Sequence, residues 1–152
     1  MAKTEFTLKF DLALEKLIKV DFTVIDQAET GVGRALLQVK TDTITQIPTA
    51  PIREGFLRGS ASVHVQKGEW NVPLGPGERP DKKVQGDQMH IQEGKILGLI
   101  GFNVPYASRT HEVPMNFTDP EAGNKYLESK MANNKMIYKK IIVNAINEGA
   151  VK

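Results

Sequence analysis

The sequence predicts an α+β fold, a small and mostly antiparallel β-sheet packed against N-terminal helices and a C-terminal helix. Three observations carry that expectation. Apolar residues recur every second position near 6–10 and 60–66, as in half-buried strands. They recur every third and fourth position near 25–39 and 137–146, as on the buried side of helices. Proline and glycine clusters separate these segments and keep any one of them from running on. At 152 residues the chain has the length of one domain, long enough to bury a core, and it is read as a single domain over 1–152.

In EFTLKFDLALEKLIKV, Phe6, Leu8 and Phe10 alternate with Thr7 and Lys9 as a strand. Asp11 is placed to cap a helix whose stripe is Leu14, Leu17 and Ile18. A second helix is expected from near Asp21 or Thr23, burying Ile25, Ala28, Val32, Ala35, Leu36 and Val39. Gly31 and Gly33 fall inside it at a cost of about 1 kcal/mol each relative to alanine, so they mark a kink or a close contact.

Pro48, Pro51 and Gly55 break the helix, and FLRGSASVHVQ then alternates as a strand with one buried face. From Gly68 to Gly94 the chain is rich in glycine, proline and charge; a span that long predicts a flexible loop able to dock on a partner. KILGLIGFNV is a buried strand, and VPYASRTHE after it is read as extended. A closing helix is expected near Asn133 to Glu148, capped by Asn133 or Asn134 and stopped by Gly149. Tyr138, Ile141, Ile142 and Ala145 make its core stripe, while Ile137, Val143 and Ile146 widen the apolar surface beyond one packing face.

Composition narrows the chemistry. With 40% hydrophobic and 25% charged residues the chain is ordinary for a folded soluble domain. Its longest apolar run, ILGLIGF, is too short for a membrane span, and Met-Ala-Lys-Thr does not open a signal peptide, so a cytosolic site of synthesis is expected. The absence of cysteine excludes disulfides, thiol catalysis and cysteine-based metal sites. The net charge of +2 indicates no concentrated nucleic-acid face, although the last 32 residues hold six lysines against three glutamates.

The three histidines, His64, His90 and His111, have no second histidine at metal-ligand spacing, so no metal is expected. His111–Glu112 invites an acid/base reading, but neighbours in an extended stretch point to opposite faces, and no catalytic residue is assigned. GVGRAL ends in Leu36 where a dinucleotide fingerprint needs a small residue, and PLGPGERPDKK lacks the lysine–hydroxyl ending of a phosphate loop; no cofactor is expected.

Three pieces stand in a suggestive order: PIREGFLRGSASVHV at 51–65, VPYASRTHE at 104–112, and AGNKYLESKM at 122–131 before the closing helix. This order resembles the minor-capsid and tail-completion (head–tail joining, neck) proteins of tailed bacteriophages, over roughly residues 48–148. Val113 and Pro114 depart from the Gly-Thr turn that many members of that family carry after the acidic residue. The resemblance implies a non-enzymatic virion protein at the head–tail junction, assembled in the bacterial host cytoplasm. It implies a homo-oligomeric ring, hexameric or dodecameric, that meets connector, neck or tail proteins and passes double-stranded DNA without binding it specifically. Tyr106, Arg109, His111, Glu112, Arg53 and Arg58 are the expected subunit-contact residues, since tyrosine and arginine concentrate at interface centres. The alternative is a small nucleic-acid-binding accessory protein, using the basic C-terminal third with Tyr126 and Tyr138.

Overall fold

A single long helix is the hub of the molecule. The structure is a computed structural model that describes residues 8–13, 22–65, 68–80 and 95–150. Its elements run β1 (Leu8–Ala13), α1 (Phe22–Thr45), α2 (Phe56–Gly59), β2 (Ala61–Val65), β3 (Gly68–Trp70), β4 (Lys95–Phe102), α3 (Ala107–Glu112), α4 (Tyr126–Asn133) and α5 (Lys135–Ala150). The strands form one antiparallel sheet in the order β1-β4-β2-β3. The α+β architecture is therefore as the sequence patterns require.

At 24 residues α1 is about 36 Å long, enough to cross the sheet and project past it. Ala28, Val32, Ala35, Leu36 and Val39 are buried as the periodicity demands, while Ile25 at the helix start is exposed. Gly98 in β4 lets the helix settle onto the sheet: a Cβ there would lie 2.5 Å from Val32 Cγ1 and 2.7 Å from Leu36 Cδ1. On the same sheet face the register sets Val63 against Ile100 and Ala61 against Phe102, all buried.

The other side of α1 holds α5. Gly31 faces Ile142 and Ala145, Gln27 faces Gly149, and Asp42 meets Tyr138, so the two helices run antiparallel. Gly31 thus marks a close contact, its absent Cβ lying 3.0 Å from Ala145 Cβ and from the Ile142 backbone. Gly33 is a second one, against the Trp70 ring, where an added Cβ would stand 2.4 Å from two ring carbons. Here the helix-propensity cost of glycine is offset by the apolar surface that close approach buries.

Several expectations change. Asp11 lies within β1, and the helix expected over Leu14–Ile18 lies outside the described residues. Gly149 does not stop α5; it is buried against Gln27 and the helix runs on to Ala150. The Asn134 side chain does not cap α5: it donates to Asp42, Gln46 and the Tyr138 hydroxyl, while the Asn134 backbone carbonyl accepts from Ile137 and Tyr138 N–H.

The 68–94 segment is not a loop throughout. Gly68–Trp70 pairs with β2, and 71–80 form a strap along α1 and α2. Glu78 pairs with Lys40 at 2.7 Å and also accepts from Gly75 N–H, while Arg79 N–H donates to Gly55 O and its guanidinium lies over the Phe56 ring. Residues 81–94 lie outside the described residues.

Candidate functional site

VPYASRTHE is not extended. Pro105 and Tyr106 turn the chain out of β4, and Ala107–Glu112 form α3, with Tyr106 as its N-cap residue. Ala107 and His111, one turn apart, are buried together. Val113 closes the helix by donating to Arg109 O, and Pro114 cannot continue it. This reverses the geometric argument against a His111–Glu112 pair: on α3 the His111 Nδ1 lies 2.9 Å from Glu112 Oε1.

The corner is completed by α4, thirteen residues further on. Lys125 is its N-cap residue and takes the left-handed conformation, φ 58°. That turn aims the Lys125 N–H at the His111 carbonyl, 2.7 Å away, and the Lys125 ammonium at two carboxylates. Its Nζ lies 2.5 Å from Glu112 Oε2 and 2.9 Å from Glu128 Oε2. Beneath them the Tyr126 ring meets His111 edge-on, with centroids 4.9 Å apart, and Phe102 edge-on at 5.7 Å. The Tyr126 hydroxyl donates to Ala107 O and sits 3.4 Å from Thr110 Oγ1.

Electrostatics follow from this arrangement. His111 is 0% exposed, and burial lowers its pKa despite the adjacent carboxylate. Its Nε2 accepts from the Glu128 N–H at 3.4 Å, which leaves the proton on Nδ1, donated to Glu112. Hydrogen bonds from Lys125 and His111 hold the Glu112 carboxyl below its ordinary range, and the two glutamates raise Lys125. Burial pushes the Tyr126 phenol up to about 12.

His111, Glu112 and Glu128 also bring potential metal-ligand atoms within 4.8 Å of one another. The Lys125 ammonium already sits between the two carboxylates, so the positive charge of this cluster comes from the chain itself. Both imidazole nitrogens are engaged and the ring is sealed from solvent. The group braces α3 against α4.

The expected contact residues divide accordingly. Tyr106, Arg109, Glu112 and Arg53 reach the surface, with Tyr106 46% exposed. His111 has no surface to offer. Arg58 is also turned inward: its Nε donates to Ala50 O at 2.8 Å and Nη2 lies 4.0 Å from Asp119. Arg58 therefore ties the turn after α1 to the loop before α4. Tyr126 and Tyr138, named with the basic C-terminal third for the nucleic-acid alternative, are 1% and 0% exposed and are core residues.

Two features escaped the pattern reading. One is a polar knot at the α1–α5 end, where Tyr138 donates to Asp42 Oδ2 at 2.6 Å and Asn134 joins Asp42 to Gln46. The other is a groove of about 370 Å³ between α1 and the strap, lined by Leu37, Thr41, Ile44, Pro73, Leu74 and Pro76, with the Lys40–Glu78 pair beside it. Amphipathic spacing hints at neither, because each joins residues more than 30 positions apart.

The surface of α5 answers the sequence more directly. Met136, Ile137 and Val143 are 74%, 54% and 52% exposed, on the side away from the Tyr138–Ile142–Ala145 seam. Among the described residues no helix is long and apolar enough to cross a membrane. No protein-family model, curated protein or solved structure matches the chain.

Proposed function

We propose that this chain is a structural virion protein of a tailed phage, a non-enzymatic component of the head–tail junction that works by assembling with copies of itself and with neighbouring neck or tail proteins around the DNA channel. The observation that carries the reading is the second apolar face of α5. A helix that already buries Tyr138, Ile142 and Ala145 against α1 still offers Met136, Ile137 and Val143 to solvent. Large apolar side chains left exposed on a helix that already has a core-facing side suit a contact surface. The order of the Pro-Ile-Arg-Glu-Gly, Tyr-Ala-Ser-Arg-Thr-His-Glu and Ala-Gly-Asn-Lys-Tyr segments supports the same role by resemblance. Tyr106 and Arg109, exposed at the α3 corner, provide a second surface of interface-prone residues.

The competing role, a nucleic-acid accessory module, keeps the three exposed lysines of α5 but loses its aromatic partners to the core. Native mass measurement with negative-stain images of the same sample decides between them. Closed rings of uniform size, six or twelve copies, are expected. A chain that stays monomeric at every concentration and is retained on DNA at low salt would transfer the assignment to the accessory role.

A further inference from the structure

The exposed face of α5 has a charge as well as an apolar character. Residues 135–147 contain Lys135, Lys139 and Lys140 and no acidic residue, and all three lysines are exposed. On the helix Met136, Lys139, Lys140 and Val143 fall at spacings of three, four and seven, so lysine heads and apolar side chains share one stripe. The one nearby acid on the helix, Glu148, is paired at 3.0 Å with Arg34.

A surface of opposite kind lies after α3. Residues 112–121, EVPMNFTDPE, contain Glu112, Asp119 and Glu121 and no basic residue. Val113 and Met115 are exposed there, with Tyr106 exposed at the other end of α3 from Glu112. Arg109 and Lys125 moderate the charge, but the span 105–128 still holds four acidic against two basic side chains. Glu112 is shared with Lys125 and Asp119 with Arg58, which leaves Glu121 as the most available carboxylate of the three.

We infer that the α5 stripe of one copy docks on the 112–121 corner of the next copy. The occupant of the α5 face is a second copy of this chain, and the inference rests on the ring reading above, to which it adds the two surfaces in contact. Two features of the molecule carry it. The patches match in chemistry: Lys139 and Lys140 with exposed Met136 and Val143 on one, and Glu121 beside the partly paired Glu112 and Asp119 with exposed Val113, Met115 and Tyr106 on the other. The α5 stripe is also unsuited to pairing with itself, because a two-fold contact would set Lys139 and Lys140 against their own counterparts. Two different, complementary patches on one chain make a head-to-tail contact, which propagates until the rotation between neighbours closes a ring.

Sedimentation velocity on the intact chain across concentration and salt tests the contact. The unaltered chain self-associates and does so less as salt rises. Lys139→Glu with Lys140→Glu weakens association about tenfold or more, and Glu121→Lys does the same. An equimolar mixture of the two variants regains association, since the reversed α5 of one meets the reversed corner of the other. Charge-reversed chains that associate as tightly as the original overturn the contact, and rings still present in the images would then leave the structural role standing. An original chain that stays monomeric up to millimolar concentration overturns the contact as well, and the DNA-retention measurement then decides the role separately.

Discussion

The α1–α5 seam and the α3–α4 corner both lock two helices together, by opposite means. At the seam the backbones approach because side chains are missing. Gly31 and Gly149 allow it, and Ala145 fills what remains. At the corner the helices meet through directional bonds: Lys125 N–H to His111 O, His111 to Glu112 and to the Glu128 N–H, and Lys125 to both glutamates. A seam made by shape has no tolerance for added volume and little sensitivity to solvent conditions. A corner made of ionisable groups tolerates small changes of shape but carries a pH dependence. The difference teaches where each kind of perturbation will act.

The largest effect is expected at the seam. Gly31→Leu forces a side chain into the Ile142 backbone and should cost about 3 kcal/mol, as overpacking does, despite the better helix propensity of leucine. Urea unfolding followed by circular dichroism measures it; a variant as stable as the original would mean that α5 can lift off α1 without loss. The polar knot at the end of the seam comes next. Tyr138→Phe removes the donor to Asp42 and should cost about 1 to 2 kcal/mol in the same assay, because a buried carboxylate loses a partner.

The corner sharpens the contrast through pH. The His111 pKa is lowered in the folded chain, so the unfolded chain takes up a proton first as pH falls through its ordinary 6.5. Stability should therefore be flat above about pH 6.5 and decline below it, until the folded imidazole titrates as well. The lowered Glu112 carboxyl adds a second loss at lower pH, below its ordinary 4.5. His111→Gln should flatten the first decline while leaving the second; a decline of unchanged shape would assign it to other groups. The smallest effect belongs to Lys125→Ala. It removes exposed ion pairs that added salt already weakens, so its melting point should converge with that of the original chain in high salt.

How much of this was legible follows the same division. The α1 stripe from Ala28 to Val39 and the α5 stripe from Tyr138 to Ala145 were readable because each is set by local periodicity. Gly149 misled because a glycine after an amphipathic run ordinarily ends a helix; here its missing side chain is used by Gln27 of another element. The three residues of β3 were too few for alternation to register, and GEW looks like loop until β2 pairs with it. Ala107 and His111 did carry a helical spacing, but Pro105 on one side and Pro114 on the other outweighed a pair of residues. The site itself was half readable. His111 and Glu112 stood out as types, whereas Lys125 is thirteen positions on and becomes a partner only through the left-handed turn at the start of α4.

Trp70 is the one tryptophan in the sequence, and it lies on Gly33 at the point where the strap begins. The chain thus carries an optical probe at the junction of the sheet edge, the central helix and the strap. Its emission reports whether those three remain joined, and the three tyrosines, two of them deep in the core, provide a second chromophore. Detachment of the strap should shift the tryptophan emission to longer wavelength while the helical signal persists. Global unfolding should move both together, so light alone separates a local opening from loss of the fold.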